Sequence, residues 1–384
     1  AGTLAAGMLA SCGNGEGTAA GTAPAAQTEA GKDETRGEAA AASGEETTES
    51  ADTRIVVDAL GREVELPATV ERIVPLGNTP RFITYLGLAD KVVGYGGMDL
   101  ETVTPVTAYA YATKNLWKDL PRMGTDSMGN TDYYPEEIIA ADPDVILCTY
   151  TEDIVNDLEA RTGIPVIAVG MGTLFADDYD QSLLILGEAC GAEERAREVV
   201  GYIDECLADL DARTSGIAKE DRPAVLSAAA TFKGAHGIEG VRLQDAVLDA
   251  VHADNVAAKE GGASSAEVDR EQILAWNPDY IFCDCSGVGL VKEDEASDPD
   301  FYKQLTAYKE NHIYQHPSST SYFSNLEIPL ANCYFIGSVL YPEQFADVDL
   351  EAKADEIFRF LLGYENFMGE LEAFGAGYDP VGFE

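Results

Sequence analysis

The sequence predicts an α/β fold of two Rossmann-like lobes, each with a central parallel sheet, joined by a single long backbone helix and separated by a ligand cleft. Strands alternate with helices along the chain, one helix-to-strand unit occurs twice, and a long helical segment separates the copies. Such alternation is typical of parallel βαβ units, since parallel strands need crossover connections. With 384 residues, 46% of them apolar, the chain can bury more than one core.

The repeated unit is a short helix that leads into a buried strand. Residues 136–148 read EEIIAADPDVILC, and residues 271–283 read EQILAWNPDYIFC. Pro143 and Pro278 end the helices because proline cannot continue them, and the apolar runs VILC and YIFC favour strands. The alternative is a common α/β connection that arose twice by chance. Because the identities stay in register, we predict one copy in each lobe.

The first predicted lobe covers residues 53–190. RIVVDALGREVELP, residues 54–67, predicts a β-hairpin, and RIVPL at 72–76 predicts a buried strand. A helix follows through Leu86, with Thr79 as its N-cap and Pro80 in its first turn. Further strands are predicted at 92–94, in the first copy of the repeat, and at 163–170.

Helices are then predicted at 178–190 and 192–215, and we assign residues 191–216 to the helix that connects the lobes. The second lobe, residues 217–384, repeats the plan of the first. Its expected elements are the strand AVLSAAA, a helix around 243–251, the second copy of the repeat, a strand at 312–315, and helices at 326–340 and 349–362.

The N-terminal stretch predicts export and lipidation. Residues 1–12 end in Leu-Ala-Ser-Cys, a pattern similar to the lipobox of bacterial lipoproteins, in which Cys12 would carry the lipid. An ordinary secretory cleavage site is the alternative. Residues 13–52 are acidic and lack aromatic residues, which indicates a disordered tether. No later segment predicts a transmembrane helix, so the lipid would be the sole anchor to the cell membrane.

Composition limits the partners. A net charge of -43 repels nucleic acid and anionic lipid headgroups. A zinc or manganese site between two lobes needs several His ligands drawn from both lobes, but all four His lie in the second half of the chain. We therefore expect no resident metal or cofactor, although haem could still be ligated by a Tyr or by His316. The disulfide state of the cysteines stays open.

Candidate ligand residues follow the predicted strands, because open α/β lobes bind ligands beyond the carboxyl ends of their strands. Aromatic side chains offer flat contact to a large chelate, and Lys or Arg would pair with its negative groups. Arg81, in the first turn of a helix, could favour an anion. The candidates are Asn78, Thr79, Arg81, Tyr95, Tyr111, Lys114, Trp117, Tyr150, Phe232, Lys233, His316 and Tyr322.

Four stretches carry a resemblance to a known family. They are DALGREVELPATVERIVPLG, TYLGLADKVVGYG, both E-x-I-x-A-x-x-P-D units, and YPEQFADVDLEAKADEIFRFLLG. Over residues 54–363 the chain resembles the helical-backbone (class III) solute-binding proteins of bacterial ABC importers, which bind ferric siderophores, haem or cobalamin. The resemblance implies a monomer without catalytic activity, in which Glu136 and Glu271 dock into Arg pockets of a permease dimer.

We therefore expect a lipid-anchored, extracytoplasmic receptor that delivers an iron chelate, a siderophore or haem, to an importer. A corrinoid, or an oxyanion such as molybdate or tungstate, is the alternative within this class. A metal-cluster or hydrolytic enzyme with two α/β lobes is the alternative from another class, but no G-x-S-x-G, P-loop or dinucleotide fingerprint occurs. A structural surface adhesin is the remaining option.

Overall fold

The computed structural model describes residues 53–97, 99–125, 132–258, 263–318 and 325–383. Cys12, the tether at 13–52 and Tyr322 lie outside these ranges. Within them, no helix has both the length and the apolar character that crossing a bilayer requires. The described cysteines are free thiols: Cys148, Cys190, Cys206, Cys283, Cys285 and Cys333.

The first lobe contains the predicted hairpin and a parallel sheet. Its elements are β1 (Thr53–Val57), β2 (Glu63–Pro67), β3 (Ile73–Pro75), α1 (Thr79–Tyr85), α2 (Ala108–Trp117), α3 (Pro135–Ala141), β4 (Val145–Cys148), α4 (Glu152–Thr162) and β5 (Val166–Ala168). β1 and β2 pair antiparallel, whereas β3, β4 and β5 form a parallel sheet in that order.

The strand predicted at residues 92–94 is wrong. This segment makes a single parallel bridge, between Ile73 and Val92, before it leaves the sheet. Gly94 and Gly96 interrupt it, and glycine has low strand propensity. Gly94 is required by packing, because a Cβ there would lie 2.0 Å from the Met123 side chain.

Two helices follow β5, α5 (Asp177–Cys190) and α6 (Glu193–Thr214), close to the predicted ranges, and α6 connects the lobes. Along the 22 residues of α6, the buried positions recur every three or four residues. They form one apolar stripe, which consists of Ala196, Val199, Ile203, Cys206, Leu210 and Thr214.

The second lobe has a larger sheet. Its elements are β6 (Ala224–Ala228), β7 (Gly240–Arg242), α7 (Ala246–Ala250), β8 (Asp254–Asn255), β9 (Ser265–Glu267), α8 (Arg270–Trp276), β10 (Tyr280–Asp284), α9 (Val288–Ser297), α10 (Pro299–Tyr302), α11 (Thr306–Lys309), β11 (Ile313–His316), α12 (Glu327–Leu340), α13 (Leu350–Leu362), α14 (Phe367–Ala373) and β12 (Asp379–Pro380). The strand order is β12-β11-β10-β6-β8, in which only β12 runs antiparallel.

The two copies of the repeat lie in different lobes and have the same local structure. α3 leads into β4, and α8 leads into β10. Both helices end at a residue in the left-handed conformation, Asp142 with φ 49° and Asn277 with φ 41°. The repeated Asp then accepts backbone N–H groups at the start of the neighbouring strand segment: Asp144 from Glu71 and Arg72, and Asp279 from Ala224.

The cores of the lobes are continuous through the joint. In each central strand, alternate residues face opposite sides, so that Ile146 and Ile281 point into separate outer clusters. The other face, which includes Leu147 and Phe282, joins a single central cluster that runs through α6 and the last helices. α13 returns to pack on α1 and α2 of the first lobe. The chain crosses between the lobes through α6, but the C-terminal helices also hold the lobes together.

Candidate functional site

Three loops of the first lobe meet at the carboxyl ends of its strands, as predicted. The backbone N–H of Asn78, after β3, donates to Thr149 Oγ1 at 3.0 Å, and Asn78 Nδ2 donates to the carbonyl of Met171 at 3.2 Å. Gly77 permits this approach: its φ is +61°, and a Cβ there would lie 2.6 Å from Thr149 Oγ1. Asn78 Oδ1 is buried and accepts no hydrogen bond within the described part of the chain.

An aromatic stack joins this edge to the start of α3. The ring of Tyr150, which follows β4, stacks on the ring of Tyr133 with centroids 6.4 Å apart. Tyr133 lies just before α3, so the stack places the N-terminus of α3 beside the carboxyl end of β4. Glu136, in the first turn of α3, is exposed. Its carboxylate forms no hydrogen bond or ion pair with the described residues.

The second lobe has a comparable arrangement after β6. The ring of Phe232 stacks on His236 with centroids 3.9 Å apart, and His236 Nδ1 lies 2.9 Å from Glu267 Oε1. The exposed Lys233 adopts a φ of +51° in a turn closed by the Phe232 N–H. A left-handed lysine costs backbone energy, and such strain often occurs at binding loops.

Glu267 connects this loop to α8, the helix that carries Glu271. It ends β9, three residues before α8 begins. The side chain of Arg270 is held by ion pairs with Glu239, at 2.6 Å, and with Asp294. Glu271 is exposed instead and, like Glu136, has no partner among the described residues. Each copy of the repeated unit therefore presents an exposed Glu, Glu136 or Glu271, in the first turn of its helix.

The structure contradicts the prediction that Thr79 is the N-cap of α1. Asn78 occupies the N-cap position, and Thr79 is the first helical residue. The Thr79 hydroxyl lies 2.8 Å from the carbonyl oxygen of Leu76 and 3.0 Å from that of Leu147. Thr79 is fully buried and fixes the α1 start to the ends of β3 and β4.

Arg81, which was predicted to favour an anion, is also buried, with 1% of its surface exposed. Its guanidinium carbon lies 4.9 Å from the ring centroid of Tyr109. Its charge also acts on Glu327 of α12. Burial raises the pKa of Glu327, while the hydrogen bond from Tyr85 and the charge of Arg81 oppose the rise. Arg81 therefore belongs to the contact between α1 and the last helices.

Trp117 and Tyr111, which were also predicted as ligand contacts, bind groups within the protein. Trp117 is buried in the core, and its indole N–H donates to the carbonyl of Ala89 at 2.9 Å. The Tyr111 hydroxyl donates to Glu370 of α14 at 2.8 Å, and this hydrogen bond raises the pKa of Tyr111 to about 12. Both side chains therefore make contacts within the protein, Trp117 with the turn at Ala89 and Tyr111 with α14.

His316 ends β11 inside a buried polar network rather than at an open surface. Its Nδ1 lies 2.8 Å from the carbonyl of Pro317 and 3.0 Å from Asn332 Nδ2. Burial lowers the pKa of His316, although the nearby Asp284 opposes this effect. With 5% exposure, His316 is not available to ligate haem in this conformation.

Tyr95 and Lys114 line a cavity of about 680 Å³ in the first lobe. A second cavity, of about 460 Å³, lies between α6, α12 and α13 at the joint, away from the carboxyl edges. In the described ranges, no three His, Cys, Asp or Glu side chains are grouped so that they could hold a metal ion.

Sequence reasoning missed the aromatic partners Tyr133 and His236, together with Glu267. Tyr133 lies three residues before the repeated unit, and that position was the available signal. His236 and Glu267 are 31 residues apart, so that only the pairing of β7 with β9 brings them together.

Comparisons with known proteins agree with this geometry. A family model described as "Periplasmic binding protein" matches residues 81–320. An uncharacterized ABC transporter substrate-binding lipoprotein, YvrC, of Bacillus subtilis (strain 168) is 26% identical over 263 residues, which cover 67% of this chain and 76% of the relative.

Two solved structures have a similar fold. A periplasmic solute binding protein from Veillonella parvula DSM 2008 has a TM-score of 0.64 and 19% identity, covering 82% of this chain and 94% of its own. The molybdate-bound periplasmic binding protein MolA of Haemophilus influenzae has a TM-score of 0.61 and 18% identity, covering 81% and 98%.

The core position of Trp117 predicts a stability effect. Trp117→Ala should lower the free energy of unfolding by about 3–5 kcal/mol, because it leaves a cavity and an unsatisfied carbonyl. Leu116→Ala, at a neighbouring position that is 59% exposed, should change it by less than about 0.5 kcal/mol. Urea denaturation followed by circular dichroism measures both. If Trp117→Ala were as stable as Leu116→Ala, the core assignment would fail.

Proposed function

The chain belongs to the periplasmic binding protein family, and from this premise we propose that it captures an iron chelate, a siderophore or haem, outside the cytoplasm. Proteins of this class bind small ligands, work with a membrane permease complex and supply ABC transporters with substrate. The chain has the two-lobed α/β fold of the class III binding proteins.

One observation carries the choice of an organic ligand: an aromatic stack stands at the carboxyl edge of each sheet. Tyr150 stacks on Tyr133 in the first lobe, and Phe232 stacks on His236 in the second. Flat ring faces suit a large organic complex better than a small hydrated ion. A corrinoid shares these requirements and stays an alternative.

An oxyanion is the second candidate, favoured by the molybdate-bound MolA, whose fold resembles that of this chain. Oxyanion sites use hydrogen-bond donors and cations. Arg81 was the residue that favoured such a ligand, but it is buried against Tyr109 and close to Glu327. The organic chelate is therefore the better supported choice.

A thermal-shift screen tests the ligand class, because a ligand that binds only the native state raises the melting temperature. Ferric siderophores or haem should stabilise the purified protein, whereas molybdate, tungstate and zinc should not. Phe232→Ala should weaken chelate binding several-fold, since it removes a stacking face. Phe374→Ala, at an exposed position on the same lobe, is the matched control. If molybdate alone stabilised the protein, the oxyanion would replace the iron chelate as the proposed ligand class.

We further propose that Glu136 and Glu271 dock the protein on the permease. Both are exposed, one on each lobe, and neither contributes a hydrogen bond or ion pair to the described fold. A carboxylate free of internal partners can accept a bidentate bond from an arginine of another protein.

Replacing both residues should separate binding from transport. Glu136→Ala with Glu271→Ala should keep the ligand-induced thermal shift but reduce cellular uptake of the ligand at least about tenfold, because two charge-assisted contacts are lost. Glu137→Ala with Glu293→Ala removes the same charge from exposed positions on both lobes and should leave uptake intact. If both double variants reduced uptake equally, the reduction would be an effect of net charge and the docking proposal would fail.

Lipidation at Cys12 is proposed as the anchor, supported by the Leu-Ala-Ser-Cys pattern and by the name of the lipoprotein relative. In cell fractionation, Cys12→Ser should move the protein from the membrane to the soluble fraction, because no lipid can attach. Cys285→Ser, at a half-buried thiol, serves as the control. Membrane retention of the Cys12 variant would reject this anchor.

A further inference from the structure

The cavity of about 680 Å³ in the first lobe has an unusual lining of charged groups. Within the described part of the chain, none of these charged side chains forms an ion pair with another residue. They are Lys114, Lys118, Arg122, Asp99, Glu101 and Asp119. Their charges are thus available to a molecule that enters the cavity.

The cavity lies at the ligand edge of the first lobe. One wall is formed by Tyr95 and residues 99–101, and the other is the C-terminal end of α2 with the residues that follow it. The N–H of Gly96 donates to the carbonyl of Pro75 at 3.1 Å, so this loop runs beside the carboxyl end of β3. Asn78 follows the same strand end, which places the cavity next to the proposed ligand site.

The charges are sorted by depth. The three carboxylates and Lys118 are exposed, whereas Lys114 and Arg122 are half-buried. Exposed charges are screened by water and salt, while partly buried charges keep more of their field. The inner end of the cavity is therefore cationic, although its rim is acidic.

The two inner cations are held in place. The Lys114 ammonium lies 3.3 Å above the centre of the Tyr111 ring, and the Tyr111 hydroxyl is bound to Glu370. Arg122 donates one guanidinium N–H to the carbonyl of Gly97. Its Nε–H is buried and has no acceptor among the described residues. A buried donor without an acceptor is costly unless another molecule satisfies it.

We propose that this cavity binds a carboxylate group of an organic anion, with Lys114 and Arg122 as its partners. Within the proposed function, on which this inference rests, the cavity would receive an anionic arm of the chelate. Carboxylate oxygens can accept from both the Lys114 ammonium and the guanidinium of Arg122, which lines the cavity. The substrate class is thereby narrowed to carboxylate-bearing chelates.

Calorimetric titration of the full chain with citrate, as a small tricarboxylate probe, tests the inference. Citrate should bind the wild-type protein, and Lys114→Gln and Arg122→Gln should each weaken binding about tenfold or more, because each removes a charge-assisted contact. Lys118→Gln removes the same charge from the rim and should weaken binding less than about threefold. Melting curves without ligand show whether each variant is folded, and the two inner variants test the site independently.

Absence of citrate binding, or an equal loss in Lys118→Gln and the inner variants, would overturn the inference. A second titration, with ferric citrate and with the carboxylate-free chelate ferrioxamine B, distinguishes failure of this inference from failure of the proposed function. If chelates bind but the Lys114 and Arg122 variants bind them equally well, the cavity assignment fails and the receptor role stands. If citrate binding depends on both residues but no chelate binds, the cavity assignment stands and the iron-chelate role fails.

Discussion

The contact between α1 and α12 is the constraint on which the arrangement of the lobes depends. The Glu327 carboxylate is fully buried, accepts the Tyr85 hydroxyl and the Leu326 N–H, and lies within the field of Arg81. A buried carboxylate of this kind is tolerated only while its partners surround it. If the C-terminal helices moved away from the first lobe, this contact would break and apolar core residues would be exposed at the same time. The residues proposed to recognise the ligand lie on the loops at the strand ends. The shared core holds these loops in position, but they are not part of it.

Within the repeated unit, the residues that stabilise the fold can be distinguished from the residues that are available to a partner. The repeated Ile residues fill the clusters behind each sheet, and the left-handed residue before each Pro ends the helix. Asp144 and Asp279 bind the first N–H groups of the neighbouring strand segment. Each of these residues has a structural role that explains its presence in both copies. The two Glu residues favour the first turn of each helix through its dipole, but their carboxylates bind no other group of the described fold, and this difference is the physical reason to look for their partner outside the chain.

The sequence predicted the elements better than it predicted the site. Hairpin, repeated units and connecting helix depend on local patterns, such as alternation and Pro-terminated helices, and all are confirmed by the structure. The contacts of Arg81, Trp117 and Tyr111 could not be predicted because they are non-local. These residues interact with Glu327 of α12, with the carbonyl of Ala89 and with Glu370 of α14, respectively. Position after a strand identifies the correct edge of a sheet, but it does not reveal which side chains later helices will bury. The stacks Tyr133–Tyr150 and Phe232–His236 depend on such long-range packing as well.

The charge of the whole protein and that of the cavity act over different distances. A net charge of -43 disfavours the approach of an anionic chelate. In physiological salt, however, the Debye length is about 8 Å, so exposed carboxylates act mainly on their immediate surroundings. A ligand that has passed the acidic rim meets Lys114 and Arg122 where less water screens them. The rim would then slow the entry of anions in general, whereas only an anion shaped to reach the inner cations would gain enough to stay. An acidic binding protein can in this way select among anions instead of rejecting all of them.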